Sequence, residues 1–266
     1  MLRRLLPESA RARLRGLLRA TPAGGMFIQA SDEFALIEAE LAHLDSVPWT
    51  ENLRPSATAG MTERVIEIPW VMSRYRGERR VLDIGTAWAL PVYSKHLAAL
   101  GVPDLQGLDL VAKQVPGFQM AQGDVRALPY ASGTFDLVLC VSTLEHIGLD
   151  VSGYAGHPQE QEATGDVAAL REMARTLAPH GRILITVPFG RREQLRWLRQ
   201  YDEPAWEDLV RKSGLSVAEA GYYSYGDVRG WRRVQPPDYP NHGFQEKGAP
   251  NATGVLCADL RLSSPK

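Results

Sequence analysis

The stretch GDVRALPYASGTFDLVLCVSTLEHI, residues 123–147, decides how the rest of the chain is read. Its middle, from Phe135 to Ser142, is a nearly continuous apolar run. The run is too short for an ordinary helix, and a turn-forming Ser132-Gly133-Thr134 precedes it. This pattern predicts a strand buried on both faces. Polar residues bracket it, with Gly123-Asp124 before and Ser142 to His146 after. Moving outward, the same rhythm repeats on both sides. Upstream, VLDIG (81–85) reads as a strand and PVYSKHLAALG (91–101) as a helix stopped by Gly101. LQGLDL (105–110) and FQMAQGDV (118–125) read as two further strands. Downstream, DVAALREMARTLA (166–178) reads as a helix stopped by Pro179 and Gly181, and GRILITVPFG (181–190) as a strand. EPAWEDLVRKSG (203–214) is helical, and LSVAEAGYYSY (215–225) and GVLCADLRL (254–262) are strands. Strands alternating with helices predict an α/β domain whose mostly parallel sheet is covered on both faces.

The first part of the chain reads differently. Residues 1–20 hold six arginines and one glutamate, with Ala10, Leu14, Leu17 and Leu18 at helical spacing. This is a basic helix that packs on the domain or a partner, or lies weakly on an anionic membrane surface. It is Arg-rich and acid-poor like a transit peptide, yet it lacks the apolar core of a secretory signal. TPAGG (21–25) reads as a linker, and SDEFALIEAELAHL (31–44) as a second helix capped by Ser31 or Asp32. MTERVIEIPWVMSRY (61–75) feeds the main domain as a helix or extended segment. The expected organisation is a helical extension over 1–60 and one domain over 61–266. An insertion at about 226–254, too long for a hairpin loop, reads as a lid.

Composition narrows the class. With 266 residues, 44% hydrophobic, the chain can bury a substantial core, and its net charge of −1 argues against nucleic acid as partner. No apolar run approaches the roughly 18 residues of a membrane span. Cys140 and Cys257 sit inside apolar strands, which suits inert thiols and a cytoplasmic location. No histidine, cysteine or acid spacing suggests a metal site.

In an open α/β sheet, ligands bind at the carboxyl ends of the strands, near the point where strand order reverses. Those ends here are Asp83-Ile84-Gly85, Asp109, Gly123-Asp124-Val125 and Ser142 to His146. Three acidic ends side by side repel one another unless donors face them. A ligand with an ammonium, ribose hydroxyls and an exocyclic amine supplies such donors, and S-adenosylmethionine has all three.

The motifs VLDIG, GLDL, GDVRALPYASGTFDLVLCVSTLEHI and LREMARTLAPHGRILITVPFG resemble those of class I S-adenosylmethionine-dependent methyltransferases, from about Arg79 to Gly190. The resemblance implies a Rossmann-like sheet with an antiparallel last strand. It implies that Asp83 and Gly85, with Thr86 and Ala87, hold the methionine part of the cofactor. It implies that Asp109 and Leu110 meet the ribose, that Asp124 and Val125 meet the adenine, and that Ser142 lies beside the sulfonium. The first loop departs from the family's glycine-rich form, since Ala87, Trp88 and Ala89 follow Gly85 and Thr86. His146 is the candidate catalytic base. Asp150, Tyr154, His157 and Asp166, with Trp231 and His242 in the lid, are candidate substrate contacts. The expected reaction is O-methylation of a small-molecule or glycan-type acceptor, as in polysaccharide or secondary-metabolite biosynthesis. Two other readings compete with it. A nicotinamide-dependent oxidoreductase needs G-x-G-x-x-G, of which GTAWAL supplies the first glycine alone. A non-catalytic methyltransferase-like scaffold at a membrane is motivated by the glycine-poor loop and the basic N-terminus.

Overall fold

The structure is a computed structural model. It describes residues 22–44, 58–152, 161–226, 229–235, 238–239 and 241–263, with 22–31 as backbone only. The basic segment 1–20, with Tyr154 and His157, lies outside the described residues.

Among the described residues, eight strands form one sheet in the order β3-β2-β1-β4-β5-β10-β8-β9. β1 is Arg80–Ile84, β2 Asp104–Asp109, β3 Gln119–Gln122, β4 Phe135–Val141 and β5 Leu177–Pro188. These five run parallel. β10 (Gly254–Leu262) pairs antiparallel with β5 and with β8 (Leu215–Gly226). Strand order reverses between β1 and β4, so the ligand crevice of such a sheet opens above those two carboxyl ends.

Alternation along the central strands sorts side chains to the two faces. Val81, Leu137, Leu139 and Leu184 face one core, with α1 (Pro22–Leu44), α2 (Arg64–Met72) and α3 (Pro91–Ala99). Leu82, Ile84, Val138, Cys140, Ile183 and Ile185 face the other, with α4 (Gly165–Thr176) and α5 (Glu203–Lys212). Both cysteines are free and buried.

Three local expectations give way. The presumed linker after Thr21 is helical, since α1 starts at Pro22, and Ser31 and Asp32 are interior rather than capping. Proline at a first helical position costs no hydrogen bond, which favours this earlier start. β5 begins at Leu177, before the Pro179-His180-Gly181 turn expected to precede it, and the extra length is absorbed by a register shift opposite β4. The segment read as a lid contributes a sheet strand, β9 (Gly230–Val234), paired with β8 at the sheet edge. β9 is locked from outside, because Trp231 N donates to Thr58 Oγ1 (2.8 Å) and Trp231 Nε1 to the Met61 carbonyl (3.0 Å). A small hairpin, β6 (Glu193–Gln194) and β7 (Arg199–Gln200), carries no alternating pattern long enough to be read from sequence.

Candidate active site

A cavity of about 280 Å³ opens over the carboxyl ends of β1 to β4, at the small end of the usual range for ligand pockets. Asp83, Gly85, Asp109, Leu110, Asp124, Val125, Ser142 and His146 all line it. Residues far apart in sequence thus meet at one crevice because each follows a parallel strand.

The loop after β1 turns on Gly85, whose φ of +83° is left-handed, a conformation glycine adopts without penalty. A Cβ there would sit 2.9 Å from Thr143 Cγ2. One turn of 3-10 helix, Thr86–Trp88, then brings the Ala87 N–H to Asp109 Oδ2 at 3.0 Å. Thr86 Oγ1 donates to the Asp83 carbonyl (2.8 Å). Thr86 and Ala87 therefore build the loop from beneath, and their side chains are buried rather than cavity-lining. Trp88 lines the mouth and is 55% exposed. Lys113 Nζ lies 5.5 Å from its ring and donates to the Ala87 carbonyl.

The three acids sit in different environments. Asp83 is buried, and Tyr93 Oη donates to its Oδ1 at 2.6 Å. Burial outweighs that bond and pushes its carboxyl up to about 7. Asp109 accepts from Ala87 N and from Val111 N (3.0 Å each), and burial still raises its pKa. Asp124 accepts from Arg126 N at 2.8 Å and from its guanidinium, with Nη2 at 2.7 Å. Burial alone would raise the Asp124 pKa, but the Arg126 contacts win and lower it. Arg126 reaches on to Glu162 at 3.1 Å.

Ser142 holds the end of β4 with φ of +42°, an uncommon angle for a residue with a side chain. Its Oγ donates to Glu67 Oε1 at 2.8 Å and its N–H to Thr186 Oγ1 at 3.0 Å. Those bonds pin the strained turn. His146 Nδ1 lies 2.7 Å from the Trp197 carbonyl, which can only accept, so the proton is on Nδ1 and the lone pair on Nε2. The ring stacks on Trp197, and burial pushes its pKa down to about 4. Glu145 Oε1 stands 3.7 Å from Nε2. Burial, and then Glu67, push Glu145 up to about 8.

Four of the expected substrate contacts, Asp150, Asp166, Trp231 and His242, do not line the cavity. Trp231 is fully buried in the core shared with α1, α2 and α3, because β9 joins the sheet instead of covering the cavity. Asp150 does not line the cavity; Ser152 (N to Oδ1 3.0 Å) and then Arg196 (Nε to Oδ2 2.8 Å) bind it and hold its carboxyl down at about 2. His242 is absent from the cavity wall; its carbonyl accepts from Arg191 N and Gln200 Nε2. Asp166 is buried and accepts from Tyr201 Oη at 3.0 Å.

Other cavity residues were not singled out from sequence, chiefly Arg64 and Ile68 on α2, Leu90, Tyr93 and Thr143. Eight of the nine residues of α2 are buried, including Glu67 at 0% exposure. Arg64 Nη1 binds Glu67 and lies 3.5 Å from Glu63, itself 2% exposed. Charged residues inside a helix that is apolar all round were the available signal, since such groups stay buried only when paired.

Residues 49–220 match a family described as the methyltransferase domain, and the chain belongs to that family. A curated relative, the uncharacterized methyltransferase YcgJ of Bacillus subtilis (strain 168), is 28% identical over 176 residues. That match covers 59% of this chain and 61% of the relative's length. Among solved structures, a SAM-dependent methyltransferase from Methanosarcina mazei superposes with a TM-score of 0.50 at 11% identity, covering 74% of this chain and 98% of that one. The 4+2 cyclase SpnF gives 0.50 at 15% identity, covering 86% and 93%. The chain thus carries a methyltransferase domain on the Rossmann-like α/β fold. The lining fits S-adenosylmethionine, since three carboxyl groups that can accept from it and an apolar wall of Ile84, Leu108, Leu110 and Val125 meet at one cavity.

Proposed function

We propose that this methyltransferase methylates a hydroxyl of a small-molecule or glycan-type acceptor, with His146 Nε2 accepting the hydroxyl proton. The bond from Nδ1 to the Trp197 carbonyl carries this reading. It fixes the tautomer whose unprotonated nitrogen is Nε2, and burial keeps that nitrogen free of a proton at neutral pH. S-adenosylmethionine supplies an electrophilic methyl on a sulfonium and departs as a neutral thioether. In the same reading Asp83 holds the ammonium, Asp109 the ribose hydroxyls and Asp124 the adenine amine. Arg126 occupies both Asp124 oxygens, so the amine must share that carboxylate or displace the guanidinium. Gly85, Thr86 and Ala87 shape the loop under the methionine group, Leu110 and Val125 flank the adenosine, and Ser142 bounds the methyl-transfer end. In this reading residues 1–60 are an extension appended to a domain over 61–266. No described helix is long and apolar enough to cross a membrane.

The test is product analysis with labelled S-adenosylmethionine and panels of hydroxylated small molecules and oligosaccharides. Mass spectrometry should find the gain of one methylene on oxygen. His146→Gln should lower turnover by about 10²- to 10⁴-fold with S-adenosylhomocysteine affinity within about twofold. Label recovered on nitrogen, or full turnover in the variant, refutes this reading.

A further inference from the structure

The β6–β7 hairpin meets the site from outside the cavity wall. Its tip is closed by a bond from Leu195 N to the Leu198 carbonyl at 2.8 Å. Two attachments run from that tip to the segment after β4. Trp197 offers its carbonyl to His146 Nδ1 and stacks its indole on the imidazole, with ring centroids 5.5 Å apart and planes 13° from parallel. The Arg196 carbonyl accepts from Asp150 N (3.2 Å), and Arg196 Nε donates to Asp150 Oδ2 (2.8 Å). One residue, Trp197, thus grips His146 twice, along Nδ1 by its carbonyl and over one face by its ring.

Phe244 backs the stack. Its ring meets that of Trp197 edge-on, with centroids 5.7 Å apart and an interplanar angle of 86°, a preferred geometry of aromatic pairs. Phe244 N donates to Glu193 Oε2 on β6 at 3.0 Å. The chain beside it is tied to the base of the hairpin, where the His242 carbonyl accepts from Arg191 N (3.0 Å) and Gln200 Nε2 (2.8 Å). The segment read as a lid therefore reaches His146 through Phe244, by way of Trp197.

The groups around the imidazole leave its state to the packing. Burial is the main cause of the low His146 pKa. The Trp197 carbonyl opposes it, while Arg64 on α2 and Arg199 on β7 act with it. Glu145, on the same segment, is itself raised to about 8, so below neutral pH it is largely uncharged. The indole covers one face of the ring that this burial must keep from water.

We propose that Trp197 is the positioning residue of His146, its carbonyl and indole braced by Phe244 so that the hairpin and residues 242–246 together hold the imidazole dry and aimed into the cavity. Its catalytic meaning rests on His146 as the base of the hydroxyl reading. The imidazole can be titrated without any acceptor, so the two can fail separately.

The test is nitrogen NMR of the full-length protein labelled at its six histidines, with the His146 signal assigned by its loss in His146→Gln. Wild-type His146 should carry its proton on Nδ1 and stay neutral down to about pH 5. Trp197→Ala opens one face to water and should raise the titration midpoint by about one pH unit or more, toward 6.5. Trp197→Phe, which keeps a flat ring, should titrate near wild type. Phe244→Ala, which leaves the hairpin sequence intact, should move the midpoint the same way by less. A role in folding alone would lower the melting temperature of Trp197→Ala and leave its midpoint unmoved. The proposal is overturned if Trp197→Ala titrates with wild type, or if Trp197→Phe titrates with Trp197→Ala. If Trp197→Ala does not fold, Phe244→Ala decides: a raised midpoint sustains the stack, and an unchanged one overturns it. Full turnover in His146→Gln would refute the hydroxyl reading and leave these midpoints as they are.

Discussion

At the residue scale, the acids at the strand ends are not equivalent. Asp109 takes two backbone N–H bonds and keeps lone pairs toward the cavity, whereas Asp124 is covered by the Arg126 guanidinium. Asp109→Ala should therefore weaken S-adenosylhomocysteine binding by about 1–3 kcal/mol, and Asp124→Ala by less. Calorimetry on the two variants checks this, and a larger loss at Asp124 refutes it. Gly85 is a second decisive residue. Gly85→Ala forces a left-handed alanine and drives its Cβ into Thr143. The conformational part alone is about 1–2 kcal/mol. Thermal unfolding should show the loss, and pairing the change with Thr143→Ala should recover part of it. A double variant no more stable than the single one would place the whole cost in the backbone. The first glycine was legible in VLDIG because only the turn after a buried strand asks for it. The consequences of Trp88, Arg64 and Tyr93 were not, since each depends on what another element places beside it.

At the element scale, the central strands were legible because apolar runs with period-two sorting suit a sheet covered on both faces. β9 was not. Its sequence, Gly230-Trp231-Arg232-Arg233-Val234, is short and charged, and it pairs only because β8 offers an edge and Thr58 and Met61 receive Trp231. An edge strand of this kind is blunted by the chain packed over it. Trp231→Ala should destabilise the fold by about 3–5 kcal/mol, the range for losing a buried large aromatic. Affinity for S-adenosylhomocysteine, measured well below the melting temperature, should stay near wild type. Strong loss of cofactor affinity with unchanged stability would return Trp231 to the binding site.

At the scale of the whole molecule, the buried ionisable groups set the pH response. Asp83, Glu63 and Glu145 are raised to about 7, 7 and 8, chiefly by burial. A carboxyl raised on folding contributes stability at low pH and loses it as pH climbs through the folded value. His146, lowered to about 4, acts oppositely, and its contribution is complete above the unfolded value of 6.5. Between about pH 6.5 and 8 the carboxyls act alone, so the ligand-free protein should become less heat-stable across that window. Asp83→Asn and Glu145→Gln should each flatten the slope. Saturating S-adenosylhomocysteine should flatten it too, because its ammonium would favour ionised Asp83. Scanning calorimetry across the window decides it, and a melting temperature that rises through it contradicts the assignment. What the sequence by itself determined is the central strands, the helices that alternate with them along the chain, and the acids that cap the strands, because periodicity and strand ends are local properties. The tertiary structure alone decided which side chains face the cavity and which protonation states they hold. Trp231 is buried and His146 is fixed as one tautomer through contacts between residues distant in the chain. Burial and pairing are properties of the space between elements, and no short stretch of sequence contains that space.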